Sequence, residues 1–246
     1  METSDFFKRI DDLAGRAERR GVVTKTGFLT PAEQYALQQY YRGDGLVLTG
    51  GQPDCERQMA FFLPEFMGPE DLDPAEYIRA LRIEAHFGTP GHRDYLGAAM
   101  GLGIGRESLG DLRIDGQLAH LFCLPTVEPQ LREELTKVSR FGVTVAPCPL
   151  AAVPPAVRKV RPVSFTVKSL RLDAVAGALF GLSRTAAAEQ IRLGAVSLNY
   201  SVCERTDAPV KEGDVISLRG RGKGCVRALG GRSKKDRLFV EADLLL

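Results

Sequence analysis

The residues of this 246-residue chain best placed to do chemistry are cations beside a helix start. Ser183 can accept a hydrogen bond from the first free amides of a helix beginning at Thr185, so those amides and the Arg184 guanidinium converge where a phosphate would be favoured. Arg192 follows eight residues later, roughly on the same face, spaced to follow a nucleic-acid backbone. Gly194 is the expected left-handed stop. Further on, residues 219–237 hold eight cations (Arg219, Arg221, Lys223, Arg227, Arg232, Lys234, Lys235 and Arg237) against one acid, Asp236. Gly220, Gly222 and Gly224 lie among them and suggest a flexible loop whose backbone could approach a phosphate closely.

Other motifs carry less. His92-Arg93-Asp94 resembles a kinase catalytic loop, but Ala99 stands where that loop needs asparagine, and there is no Asp-Phe-Gly. Gly101, Gly103 and Gly105 imitate a dinucleotide loop, yet they follow a helix and have the wrong spacing; tight packing at a helix end explains them better. His92, Arg93 and Arg106, with Asp94 and Asp111 as counter-ions, read first as a salt-bridged cluster and second as a secondary contact with RNA or ribosomal protein. The five cysteines (55, 123, 148, 203 and 225) form no CxxC pair, so reduced thiols and no metal site are expected. No catalytic set and no cofactor loop are found.

Composition narrows the classes. With 44% apolar, 26% charged and 7% aromatic residues, the chain is neither disordered, collagenous nor membrane-inserted. Met1–Arg20 lacks the apolar region of a signal peptide and no run of about 18 apolar residues occurs, so a cytoplasmic protein with no membrane partner is expected. The net charge of +2 averages two surfaces: residues 163–246 carry 14 basic and 9 acidic side chains, leaving 19 against 22 for residues 1–162. An anionic partner for the C-terminal part follows.

The elements that must position these groups predict an α+β protein. Residues 1–74 read as a small α/β domain: a helix over about 5–19 with Phe6, Ile10, Leu13 and Ala17 on one face, a helix starting at Thr30-Pro31-Ala32-Glu33, and short strands at 46–48 and 59–63. Residues 75–148 predict a ferredoxin-like βαββαβ domain, with strands at about 78–87, 111–115, 117–124 and 141–147 and helices at about 92–102 and 127–138. That order is shared with RNA-recognition modules, but their aromatic-rich strand is missing: Phe122 is the only aromatic of 117–124, which favours a scaffold over a base-stacking platform. Residues 149–162, with prolines 149, 154, 155 and 162, predict a semi-rigid linker. Residues 163–246 then give two helices, to Leu179 and over 185–193, and strands at 195–200 and 210–218.

Arg171-Leu172-Asp173, Leu182-Ser183-Arg184, Ile191-x-x-Gly194-x-Val196-x-x-Asn199 and Gly213-Asp214-x-Ile216 together resemble the S-four RNA-binding domain, which grips structured RNA through its second helix and the adjoining loop. The resemblance implies RNA contacts at Arg171, Ser183, Arg184, Thr185, Arg192 and Asn199; with Lys168 and the cations Arg219, Arg221 and Lys223 these make the candidate RNA-binding set. Tyr200 departs from the family, which usually has glycine there, so a reshaped loop is expected. Phe28 to Gln34, Gly50-Gly51 with Glu56-Arg57, His92 to Gly97, Leu102 to Glu107 and Gly110-Asp111 extend the likeness to the YlmH family of bacterial RNA-binding proteins. That implies a non-enzymatic, monomeric protein binding ribosomal RNA or tRNA on a large ribosomal subunit carrying a stalled peptidyl-tRNA, in translation or ribosome quality control. Two other classes stay open: an RNA-modifying enzyme, since Arg171-Leu172-Asp173 also resembles the catalytic motif of pseudouridine synthases, and a cell-division adaptor. Against the first, only about seventy residues follow Asp173, too few for the catalytic domain such enzymes need, so Asp173 is expected to be structural, capping its helix or pairing with Arg171.

Overall fold

A computed structural model describes residues 3–156, 160–233 and 235–245. The chain divides into two compact units, residues 1–156 and 157–246.

The first unit opens with α1 (Thr3–Arg20), β1 (Thr24–Leu29), α2 (Pro31–Tyr40), β2 (Leu46–Thr49) and β3 (Gln58–Phe62). The three strands form an antiparallel sheet in the order β1-β3-β2. The apolar face of α1, with Phe6, Ile10 and Ala17, packs on Leu29, Leu37, Ala60 and Phe62. Helix α2 begins on a complete capping box: the Thr30 hydroxyl accepts from the Glu33 amide, and the Glu33 carboxylate accepts from the Thr30 amide at 2.7 Å, an arrangement that contributes about 1 kcal/mol. Strand β1 was not expected. Its inward positions include Thr24 and Thr26, buried polar residues whose hydroxyls bond Leu13 O and the Ala60 amide, so the apolar alternation that marks a strand is interrupted.

The chain continues through β4 (Arg79–Ala85), α3 (His92–Gly101), β5 (Leu109–Asp115), β6 (Leu118–Cys123), α4 (Glu128–Glu134), β7 (Lys137–Val138) and β8 (Phe141–Cys148). This is the βαββαβ order with one short strand added, and the sheet runs β5-β6-β4-β8-β7, antiparallel throughout. The helix expected over 127–138 ends at Glu134, because Lys137 and Val138 pair with β8 across a turn in which Ser139 has φ +55°.

Residues 1–74 and 75–148, read above as two domains, share a buried cluster: Phe28, Met59 and Phe61 of the first sheet meet Ala80 and Phe122 of the second and Ile78 just before it. The proline-rich stretch joins them. Val153 is buried in the same cluster, the Gln52 amide donates to Leu150 O and Val153 O, and the Ala156 amide donates to Asp54. Residues 149–156 are therefore packed onto the first unit where a spacer was expected; 160–162 begin a strand, and 157–159 lie outside the described residues.

The second unit comprises β9 (Val160–Val167), α5 (Leu172–Leu179), α6 (Arg184–Arg192), β10 (Val196–Leu198), β11 (Ser201–Val202), β12 (Val215–Leu218), β13 (Gly222–Arg232) and β14 (Leu238–Leu245). Its sheet runs β11-β10-β12-β13-β14-β9, with Pro162 on the edge strand, where a missing amide donor is tolerated. The helices pack Leu172, Val175, Ala176, Leu179 and Ile191 on Val196, Ile216, Val226, Val240 and Ala242. The cationic stretch expected as a flexible loop is instead largely β13, paired along its length with β14.

Candidate nucleic-acid interface

The interface is built at the N-terminal ends of α5 and α6. Leu172 and Asp173 donate their amides to Ala208 O and Thr206 O, which fixes the start of α5. That places the Asp173 carboxylate, only 4% exposed, between two arginines. Arg171 reaches it at 3.3 Å and Arg184 at 3.0 Å, while both guanidiniums stay about half exposed. One carboxylate has at most about four acceptor sites and here takes two cations, so each arginine is oriented and keeps donors free for another anion. Asp173 was expected either to cap its helix or to pair with Arg171; it pairs with Arg171, and the second partner, eleven residues away, follows from the helix–helix turn.

Ser183 caps α6 as expected, accepting from the Ala186 amide at 3.1 Å. Ser183, Arg184, Thr185 and Arg192 are all exposed, and so is Lys168 at the end of β9. Arg192 closes the helix about 12 Å from Arg184 along the axis, and no ion pair holds it among the described residues. The turn between β12 and β13 adds Arg219 and Arg221, exposed on either side of Gly220 at φ +77°. The Arg221 guanidinium donates to Phe180 O.

Two members of the expected set behave differently. Asn199 spends its side chain within the fold: its amide donates to Asp214 and its carbonyl accepts from the Val215 amide. Lys223 lies with its ammonium 5.8 Å from the Tyr200 ring. The loop expected to be reshaped at Tyr200 keeps a tight two-residue turn, Leu198 facing Ser201. Of the remaining cations of the 219–237 run, Arg227 pairs with Glu241, Arg232 with Asp236, and Arg237 bonds Thr166, which leaves them less to offer a partner; Lys234 lies outside the described residues.

The secondary set, His92, Arg93 and Arg106, is not the salt-bridged cluster expected. Asp94 accepts from the Gly91 amide at the start of α3, and Asp111 accepts from the Glu56 and Arg57 amides. Arg106 donates to Leu109 O and Gly110 O; burial, then the neighbouring Arg57, bring its pKa down to about 10. Burial and Arg106 also lower His92. Arg93 is exposed. Sequence reasoning missed Arg57, whose guanidinium bonds Phe28 O, Arg106 O and Leu109 O and so ties the two sheets together. It also missed Arg113, which reaches Asp54 at 2.7 Å, Pro154 O and the Phe122 ring. Burial pushes Asp54 up, but the Ala156 amide and Arg113 together outweigh it and hold the carboxyl low. All five cysteines are free, and burial raises Cys123 to about 12, which leaves it unreactive.

Residues 69–152 match the family described as "Putative RNA-binding domain in YlmH", and residues 170–216 match the S4 domain. The Ribosome-associated protein quality control protein P2 of Bacillus subtilis (strain 168) is 31% identical over 217 residues, covering 87% of this chain and 84% of that protein. The chain belongs to the YlmH family. A solved structure of the family, the Cell division protein ylmH from Streptococcus pneumoniae, aligns at 20% identity over 61% of this chain and 93% of that one, with a TM-score of 0.49. The S4 match of this YlmH protein contains α5, α6, β10 and β11 and the Asp173 cluster; β9, β13 and β14 lie outside it. Among the described residues no helix is long and apolar enough to cross a membrane, and no cluster of His, Cys, Asp or Glu could hold a metal.

Proposed function

We propose that this protein is a non-enzymatic RNA-binding factor that docks on structured ribosomal RNA or tRNA, working as a monomer in the cytoplasm on the large ribosomal subunit, in translation or ribosome quality control. The observation that carries the reading is the Arg171–Asp173–Arg184 cluster at the α6 N-terminus, where a buried carboxylate aims two half-exposed guanidiniums beside a capped helix end. Phosphate is the ligand such an array suits. Lys168, Thr185 and Arg192 extend it along α6, and Arg219 and Arg221 add a second rim. The quality-control role is supported by what the Bacillus relative is named for. In the first unit, Arg93 is the member of the secondary set most available to a partner.

Reversing charge at two exposed positions tests the reading. Lys168→Glu with Arg192→Glu, both at exposed side chains, is expected to abolish co-sedimentation with 50S subunits while leaving the unfolding midpoint within a few degrees. Unchanged sedimentation would overturn the assignment of this face.

A further inference from the structure

The β10–β11 hairpin turns on two residues, Asn199 at φ +50° and Tyr200 at φ +70°. A two-residue turn with both centres left-handed is favoured by asparagine first and glycine second. Asn199 fits, and its side chain locks the turn to Asp214 and Val215. Tyr200 does not fit: a bulky side chain at positive φ is a genuine outlier, and such strain persists where the surroundings impose it. Its ring is only partly buried, so packing in the core does not explain why it is there. The Lys223 ammonium, carried on β13 across the intervening strand β12, sits over the ring, within reach of a cation–π contact.

We propose that Tyr200 is a stacking platform for one unpaired base of the bound RNA, with Lys223 neutralising the phosphate beside that base. Every nucleobase has a π-face, and unstacked bases in loops and bulges are what proteins read on aromatic rings. The turn holds the ring at the hairpin tip, and the lysine supplies positive charge that offsets the phosphate beside the stacked base. This role rests on the RNA-binding reading above, adding a contact to the base where the arginines contact only phosphate.

The strain gives the test its sign. Tyr200→Gly is expected to hold or raise the unfolding midpoint, because glycine suits the turn, and yet to weaken binding to purified 50S subunits about tenfold, the size of one base–aromatic stack. Tyr200→Phe should keep the affinity and Tyr200→Leu should lose it. The chain has no tryptophan, so Tyr200→Trp places a single indole at the site, whose emission should be quenched as 50S subunits saturate it. A lowered midpoint in Tyr200→Gly would make the ring a packing residue and overturn the proposal. So would unchanged affinity in that variant, or unquenched emission at saturation. If the wild-type protein does not bind 50S subunits at all, the RNA-binding reading fails instead, which separates the two.

Discussion

Arginines in the two units do opposite work. In the first, Arg57, Arg106 and Arg113 turn inward and spend their donors on backbone carbonyls, with Arg113 also held by Asp54. In the second, Arg171 and Arg184 lean on one buried carboxylate and keep about half their surface in water, while Arg192 and Arg219 are exposed. The guanidinium fork suits both tasks, because it can satisfy several carbonyls at once or meet a phosphate in bidentate fashion. What decides is the structure around it. A bulge in β5 between Leu109 and Leu112 leaves carbonyls without ladder partners for Arg57 and Arg106 to fill, whereas in the second unit one buried carboxylate, Asp173, holds two guanidiniums that remain about half exposed.

Breaking one arginine of each kind should therefore give different phenotypes. The largest effect is expected at Arg57. Arg57→Ala strands three carbonyls at the join of the two sheets and should cost about 3 kcal/mol of stability, since hydrogen bonds to charged groups contribute about 1.5–3 kcal/mol each and part of that loss is recovered by water. Denaturant unfolding measures the loss, and the RNA affinity of the folded fraction should not change. Asp173→Asn comes next. It keeps the shape but removes the charge that aligns Arg171 and Arg184, so stability should fall by about 1–2 kcal/mol and RNA affinity should fall with it. Loss of stability with affinity intact would mean that the carboxylate holds the helices and does not aim the arginines.

Signals that are local in sequence were legible. The Thr30–Glu33 capping box, the Ser183 cap and the Gly194 stop each involve residues within four positions, and each forms as read. The α6 face could be chosen because helix start, cap and cations adjoin. What stayed hidden depends on partners far along the chain. Asp173 meets Arg184 across the turn between helices, Arg113 meets Asp54 and Pro154 after 59 and 41 residues, and no spacing rule reports such meetings. Strands β13 and β14 were missed for another reason. Glycines and cations in 219–232 read as loop, although Val240, Ala242 and Leu244 alternate inward in the partner strand and could have shown that a strand was waiting to be paired. Pro162 hid β9 in the same way, because a proline is admitted only where the strand lies at an edge, and the edge is known only once the sheet is formed.

Salt sharpens the contrast further. If the β12–β13 turn touches phosphate, Arg219→Ala and Arg221→Ala should each reduce the slope of log affinity against log salt by about one unit, as each lost contact leaves a counterion in place. Arg227→Ala should leave the slope unchanged, because that side chain is already paired with Glu241. Equal slopes for all three variants would remove the turn from the interface.

The smallest effect separates the units by pH. All three histidines lie in the first unit; burial, then Arg106, lowers His92, and burial, then Arg82 and Arg113, lowers His120. The folded values of His92 and His120 lie below the 6.5 of an unfolded chain, so the unfolded state takes up protons first as the solution is acidified. The stability they contribute is complete above pH 6.5 and is lost as pH falls through that value toward the folded ones. The first unit should therefore become less stable between pH 7.5 and 5.5, the second should not respond through histidine in this window, and His120→Gln should flatten the dependence. Hydrogen exchange followed by mass spectrometry resolves the units separately; equal acid sensitivity in both would show that carboxylates, which both units carry, control the response and not His92 and His120.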